Sequence, residues 1–266
     1  MTSKNSALDI VIAVLAYFIL QFVCAFGIIG GYFGYLILTG NSVPAGGYME
    51  LMGEMMGPIM CVSDILTVLL IILLIKRINL IDEFSWNECK WKYVVPVILI
   101  SFISIFACNF IEELINLPNL VEAQLTDMSG SLWGVMAIAV LGPVTEEIIF
   151  RGVACGGLLR AGVKPWTAII VSALLFGLIH MNPAQIPFAM ILGIIFAIIY
   201  YKTKSLIPST ILHILNNSFA VISMNCIDNQ DEMSFENILG TGMFYVMMIV
   251  CSVIGIVSFT FYWKKR

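Results

Sequence analysis

Within the segment Leu132–Leu159, otherwise almost wholly apolar, stand two adjacent acids and an arginine: Glu146, Glu147 and Arg151. Charged residues at membrane depth are expensive, so they mark function by default. In a helix turning by about 100° per residue, Glu147 and Arg151 lie one turn apart on nearly one face and can pair. Glu146 points about 140° away from Arg151. One acid is then neutralised by the arginine and the other is left to face something else, as a general base or a proton carrier would. The plainer alternative is a buried charge cluster that only locks helices together.

The chain has just two histidines, His180 and His213, and both lie in or at the end of apolar stretches. His213 and Asn217 are spaced by one turn and share a face. Counted from the nearest basic boundary at about 1.5 Å per residue, Glu146, His180 and Asn217 come out at similar depths of about 20–24 Å, with His213 shallower at about 14 Å. A single polar cluster inside the membrane is thus allowed. Asp64 is a further acid in an apolar stretch, with Ser63 and Thr67 beside it; near the outer end of its span, it reads as hydrated or helix-linking.

These residues need a membrane scaffold. The 266 residues are 60% hydrophobic and only 11% charged, with a mean hydropathy of +0.99. A soluble domain of this size cannot hide so much apolar surface. Apolar runs predict an all-α, polytopic integral membrane bundle of about eight spans. They are Leu8–Leu38, broken or tilted at Gly30-Gly31; Pro58–Ile75, after a polar connection over Gly40–Gly57; Tyr93–Phe110; Leu132–Leu159; Pro165–His180; Ile186–Tyr201; Leu206–Met224; and Leu239–Trp263. The chain reads as one transmembrane domain, 1–266, with its polar core at about 132–224.

Basic residues fall on alternate connections: Lys4; Lys76, Arg77, Lys90 and Lys92; Arg160 and Lys164; Lys202 and Lys204; Lys264, Lys265 and Arg266. The opposite connections carry acids, among them Glu122, Asp127 and Asp231. By the positive-inside rule both termini are cytoplasmic. Trp86, Trp91, Trp133, Trp166 and Trp263 sit near predicted span ends, as interfacial anchors do. The first span is too long for a cleavable signal segment. The seven cysteines include no C-x-x-C and read as small core residues. Gly152-x-x-x-Gly156 permits close helix contact, within the bundle or between copies, so oligomeric state stays open. No basic run or nucleic-acid-binding motif is present.

The order Glu146-Glu147-x-x-x-Arg151, Phe176-x-x-x-His180, His213-x-x-x-Asn217 resembles the three motifs of the CAAX protease and bacteriocin-processing family of intramembrane endopeptidases, which includes type II prenyl endopeptidases. Each motif is weak alone; in order, on three separate spans, they are specific. The resemblance implies an intramembrane protease acting on a peptide or protein at the bilayer, in a bacterial cell membrane. It allows prenylated C-terminal tails, peptide leaders or other membrane-proximal peptides as substrates. It also implies roles: Glu146 as the base that activates water, His180 positioning that water, His213 and Asn217 as oxyanion donors, Glu147 and Arg151 as supports. No cofactor is expected in this scheme. A zinc-dependent version would instead use His180, His213 and Glu146 as ligands. A proton-coupled transporter and a non-catalytic membrane regulator are the competing classes, although no internal repeat of the transporter kind is found.

Overall fold

The computed structural model describes residues 3–42, 47–76, 78–86, 117–226 and 240–264, with 103, 107, 111 and 115. Among the described residues the regular structure is entirely helical, as expected. The expected span Tyr93–Phe110 lies almost wholly outside the described residues, as do Arg77, Lys90, Trp91, Lys92, Asp231, Lys265 and Arg266.

Helix α1 runs over Ser3–Thr39 without a break at Gly30-Gly31. A glycine costs a helix only about 1 kcal/mol relative to alanine. An unpaired backbone group in lipid costs more, so continuity wins. The helix ends at Gly40, whose φ of +72° places Gly40 N–H on Ile37 O and Asn41 N–H on Leu36 O, a Schellman cap.

Helix α2 spans Gly47–Leu74 and contains Pro58. The expected polar connection is therefore largely helical, and Pro58 is interior, not a start. In a membrane helix the backbone bond lost at a proline can be compensated by neighbours. The shift matters for Asp64. With the apolar part of α2 at Gly53–Leu74, Asp64 sits near its middle and is only 1% exposed. It is neither near the span end nor hydrated, contrary to the sequence expectation.

A short helix α3 covers Leu80–Glu83, and α4 covers Glu122–Ser129. The next element, α5, extends over Leu132–Arg160, but it is not one regular helix. Its α-helical turns are interrupted by π-helical stretches at Ala137–Leu141 and Ile148–Cys155, which bracket Gly142–Glu147. Helices α6 (Pro165–Ile179), α7 (Gln185–Thr203), α8 (Ile207–Cys226) and α9 (Thr241–Lys264) follow.

Among the described residues four helices are long and apolar enough to cross a membrane: Ala7–Thr39, Gly53–Leu74, Leu132–Arg160 and Gln185–Thr203. Two shorter ones, α6 and Thr241–Gly255, are also apolar. The 20-residue α8 stands outside this set because its polar residues, His213, Asn216 and Asn217 among them, lower its hydropathy. On α6, Trp166, Ile170, Leu174 and Leu178 recur every fourth residue and are all 44–55% exposed. That is a lipid-facing stripe. Trp86 and Trp133 are also exposed near helix ends.

Buried α5 holds the centre: Ile148, Ile149, Phe150, Val153, Ala154 and Cys155 are each 2% exposed or less. Helices α6 and α7 form a tight hairpin beside it. A Cβ on Gly193 would lie 2.9 Å from Ala173 Cα, and one on Gly177 would lie 2.9 Å from Ile186 O. Gly156 leaves room for the Tyr200 hydroxyl, so the Gly152–Gly156 spacing serves packing within the bundle. At that end Arg160 Nη1 lies 2.6 Å from Glu83 Oε1, Tyr200 Oη donates to Glu83 Oε2 at 2.7 Å, and Leu206 N–H donates to Glu83 O. The ends of α3, α5 and α7 are thereby tied together.

Candidate active site

The two π stretches of α5 expose backbone carbonyls sideways, and side chains from three directions take them. Asn217 Nδ2 of α8 donates to Ile138 O at 2.9 Å. Ser172 Oγ of α6 donates to Phe150 O at 2.6 Å. Arg160 Nη2, one or two turns along α5, donates to Gly152 O at 2.9 Å. Stretches of π-helix are uncommon and frequent at functional sites. Here they lie immediately before and after the α-helical turns that carry Glu146 and Glu147.

The acids separate as their helical angles require. Glu147 is wholly buried, with Oε1 3.0 Å from Arg151 Nη1 and 3.2 Å from His213 Nδ1. Arg151 is also fully buried. Its guanidinium lies 4.3 Å from the Phe176 ring centroid and 5.2 Å from that of Phe196, and Nη2 reaches Gly193 O at 3.5 Å. One carboxylate and two aromatic faces thus hold a cation that would otherwise be untenable at this depth.

Glu146 is held loosely. Its side chain is 14% exposed, and Oε2 lies 3.5 Å from His213 Nε2. Oε1 lies 3.5 Å from the Tyr17 hydroxyl of α1. Both contacts are longer than a well-formed hydrogen bond. Lone pairs of Glu146 remain available; those of Glu147 Oε1 are spent.

His213 bridges the two acids, with one ring nitrogen toward each. A neutral imidazole has one N–H and can donate to only one of the two carboxylates; the contact to Glu147, at 3.2 Å, is the shorter. His180 caps α6, and its Nδ1 lies 2.8 Å from Phe176 O. A carbonyl only accepts, so Nδ1 carries hydrogen and neutral Nε2 is left as an acceptor. The Phe176 ring stands edge-on to both imidazoles, 5.1 Å from His180 and 5.5 Å from His213. The three motifs thus meet around one phenyl ring.

Asn217 has one amide N–H to spare. One N–H of its amide is spent on Ile138 O, and its Oδ1 accepts from Asn216 Nδ2 at 3.1 Å; one N–H remains. Among the described residues no three His, Cys, Asp or Glu side chains gather as a metal set. Of the residues weighed above as zinc ligands, His213 Nε2 lies 3.5 Å from Glu146 Oε2, and His180 turns Nδ1 to its own helix and leaves Nε2 free. Tyr17 and Phe196 lie outside the sequence motifs. Nothing in their local sequence distinguishes them from other aromatic residues of apolar helices.

Residues 128–219 match the family model for Type II CAAX prenyl endopeptidase Rce1-like proteins. The membrane-embedded CAAX protease MroQ of Staphylococcus aureus (strain USA300) is 31% identical over 170 residues, covering 59% of this chain and 68% of MroQ. The chain belongs to the CAAX protease family. YdiL of Bacillus subtilis (strain 168), provisionally described as a membrane peptidase, is 30% identical over 88 residues, 33% of this chain and 36% of YdiL. No solved structure matches. The chain is accordingly a CAAX-family membrane protease and an integral membrane protein, and the matched stretch contains Glu146, Glu147, Arg151, Phe176, His180, His213 and Asn217.

Proposed function

We propose that this protein is an intramembrane endopeptidase in which Glu146 activates water against a peptide bond of a membrane-associated substrate. The observation that carries this reading is the contrast between the acids. Glu147 is fully buried and fixed by Arg151 and His213, whereas Glu146 is partly exposed and only loosely partnered. Water gives a proton to Glu146 as its oxygen bonds to the carbonyl carbon. The proton then passes to the leaving nitrogen as the C–N bond breaks. His213, sharing the Glu146 proton, helps hold it between these events. His180 Nε2 accepts from the water and orients it. The remaining N–H of Asn217 is the available donor for the developing oxyanion. Bound to the two acids, His213 is a poorer oxyanion donor than the family resemblance implies.

The reaction is proposed to proceed without a metal: an Asn one turn from the second histidine suits an oxyanion site better than a zinc shell, and the sequence has no His-Glu-x-x-His pattern. The alternating basic connections support cytoplasmic termini, and the bacterial relatives support a bacterial cell membrane. The test is cleavage by chain reconstituted in bilayers of two quenched-fluorescence peptides, one a prenylated C-terminal tail and one an unprenylated amphipathic leader. Glu146→Gln is expected to abolish cleavage of whichever peptide the unaltered chain cuts, while thermal stability stays close to the original. Full activity in Glu146→Gln would overturn the assignment.

A further inference from the structure

Asp64 is left unused by the scheme above. It sits near the middle of the apolar part of α2, is 1% exposed, and neither carboxyl oxygen has a hydrogen-bond partner among the described residues. Its neighbours on α2 give no relief: Ser63 donates to Met60 O and Thr67 to Ser63 O.

The direction of the carboxyl is informative. A Cβ built on Gly142 would lie 4.0 Å from Asp64 Oδ2, so the carboxyl is turned toward α5 at Gly142. Glu146 is one α-helical turn beyond Gly142, on the same face. Helical side chains lean toward the helix N-terminus, which brings Glu146 back toward position 142 and hence toward Asp64. The Tyr17 hydroxyl completes the group from α1, 3.5 Å from Glu146 Oε1. Tyr17 lies within electrostatic range of both acids, and Asp64 within range of Glu146. Glu147 is not part of this group, being committed to Arg151 and His213.

Two carboxylates sharing a buried site do not both ionise. An uncompensated charge on Asp64 at this depth would be prohibitive. A neutral carboxylic acid costs far less and is a strong donor, and Glu146 is the acceptor carried by the facing turns of α5.

We propose that Asp64 is a positioning residue of the active site: a neutral carboxylic acid on α2 that directs its O–H toward Glu146 and fixes the orientation of the base. This rests on Glu146 being the base, and it adds α2 to a site whose other groups come from α1, α5, α6, α7 and α8.

The experiment is infrared difference spectroscopy on the full chain in bilayers near neutral pH, paired with turnover. Subtracting the Asp64→Asn spectrum from that of the original chain should reveal the C=O band of a protonated carboxyl. That same band should move in Glu146→Gln, where Asp64 is intact and its acceptor has changed. In cleavage, Asp64→Ala should lower kcat by about tenfold, the worth of one lost hydrogen bond, with little change in KM. Asp64→Asn, which restores a donor, should recover most of it. Loss of ionised-carboxylate bands in Asp64→Asn, or a protonated band indifferent to Glu146→Gln, would overturn the proposal. The spectra need no turnover, so failure of the protease reading would show separately, as an unaltered chain that cuts neither peptide.

Discussion

Replacing Glu147 by Gln removes the carboxylate from a pair that is wholly buried on both sides, with 3.0 Å between Nη1 and Oε1. Breaking a buried pair by neutralising one partner costs about 3–5 kcal/mol, because a charge is left behind. Here some of the charge remains compensated. Arg151 keeps the Phe176 and Phe196 faces at 4.3 and 5.2 Å, contacts worth about 2 kcal/mol when desolvated. The loss should therefore fall at the lower end, about 3 kcal/mol. At roughly 2–4 °C per kcal/mol for a chain of this size class, Tm should fall by about 6–12 °C. The assay is thermal unfolding in detergent at fixed lipid content, with Glu146→Gln as the matched control. The reasoning makes a second demand. Adding Arg151→Met to Glu147→Gln removes the stranded cation and supplies apolar volume, so the double variant should be more stable than the single. A Tm drop under about 2 °C in the single variant, or a double variant less stable than the single, would refute the buried-charge argument.

Asn217→Ala should reduce turnover by about a hundredfold if its free N–H serves the oxyanion, and should also lower Tm because Ile138 O loses its donor; kcat, KM and Tm measured together separate the two effects. Prolonged chelation should leave cleavage unchanged, and elemental analysis of active protein should find no stoichiometric metal; zinc near one equivalent, with zinc-restored activity after chelation, would reassign His180, His213 and Glu146 as ligands. Labelling of single cysteines introduced beside Lys204 and beside Glu122 should place them on opposite sides of the membrane, with Lys204 cytoplasmic; equal access from one side would break the topology.

Much of this was legible in the residues because charge is conspicuous in an apolar chain. Glu146, Glu147, Arg151, His180, His213 and Asn217 stand out for that reason, and the angle between the two acids follows from helix geometry alone. What surrounds them was not legible. Tyr17 is one of nine tyrosines, and its contact with Glu146 spans 129 positions of chain. The π stretches of α5 have no local sequence sign; their carbonyls are taken by Asn217, Ser172 and Arg160, which only the fold brings near. Asp64 was misplaced because Pro58 was read as the start of a span. The helix begins at Gly47, which moves Asp64 from the rim to the interior.

The length of α6 has a consequence for the membrane itself. Fifteen residues make a helix of about 22 Å, roughly 8 Å short of a typical hydrocarbon thickness. Its stripe of Trp166, Ile170, Leu174 and Leu178 is nevertheless exposed on the outside of the bundle, where acyl chains would meet it. Such a mismatch is met by thinning the adjacent leaflets. The thinning would be deepest where α6 stops, at His180, so water and head groups would descend toward the histidine proposed to orient the nucleophile. The bilayer then acts as an adjustable wall of the reaction chamber: lipids with longer tails would resist the dimple and starve the reaction of solvent, while shorter ones would feed it.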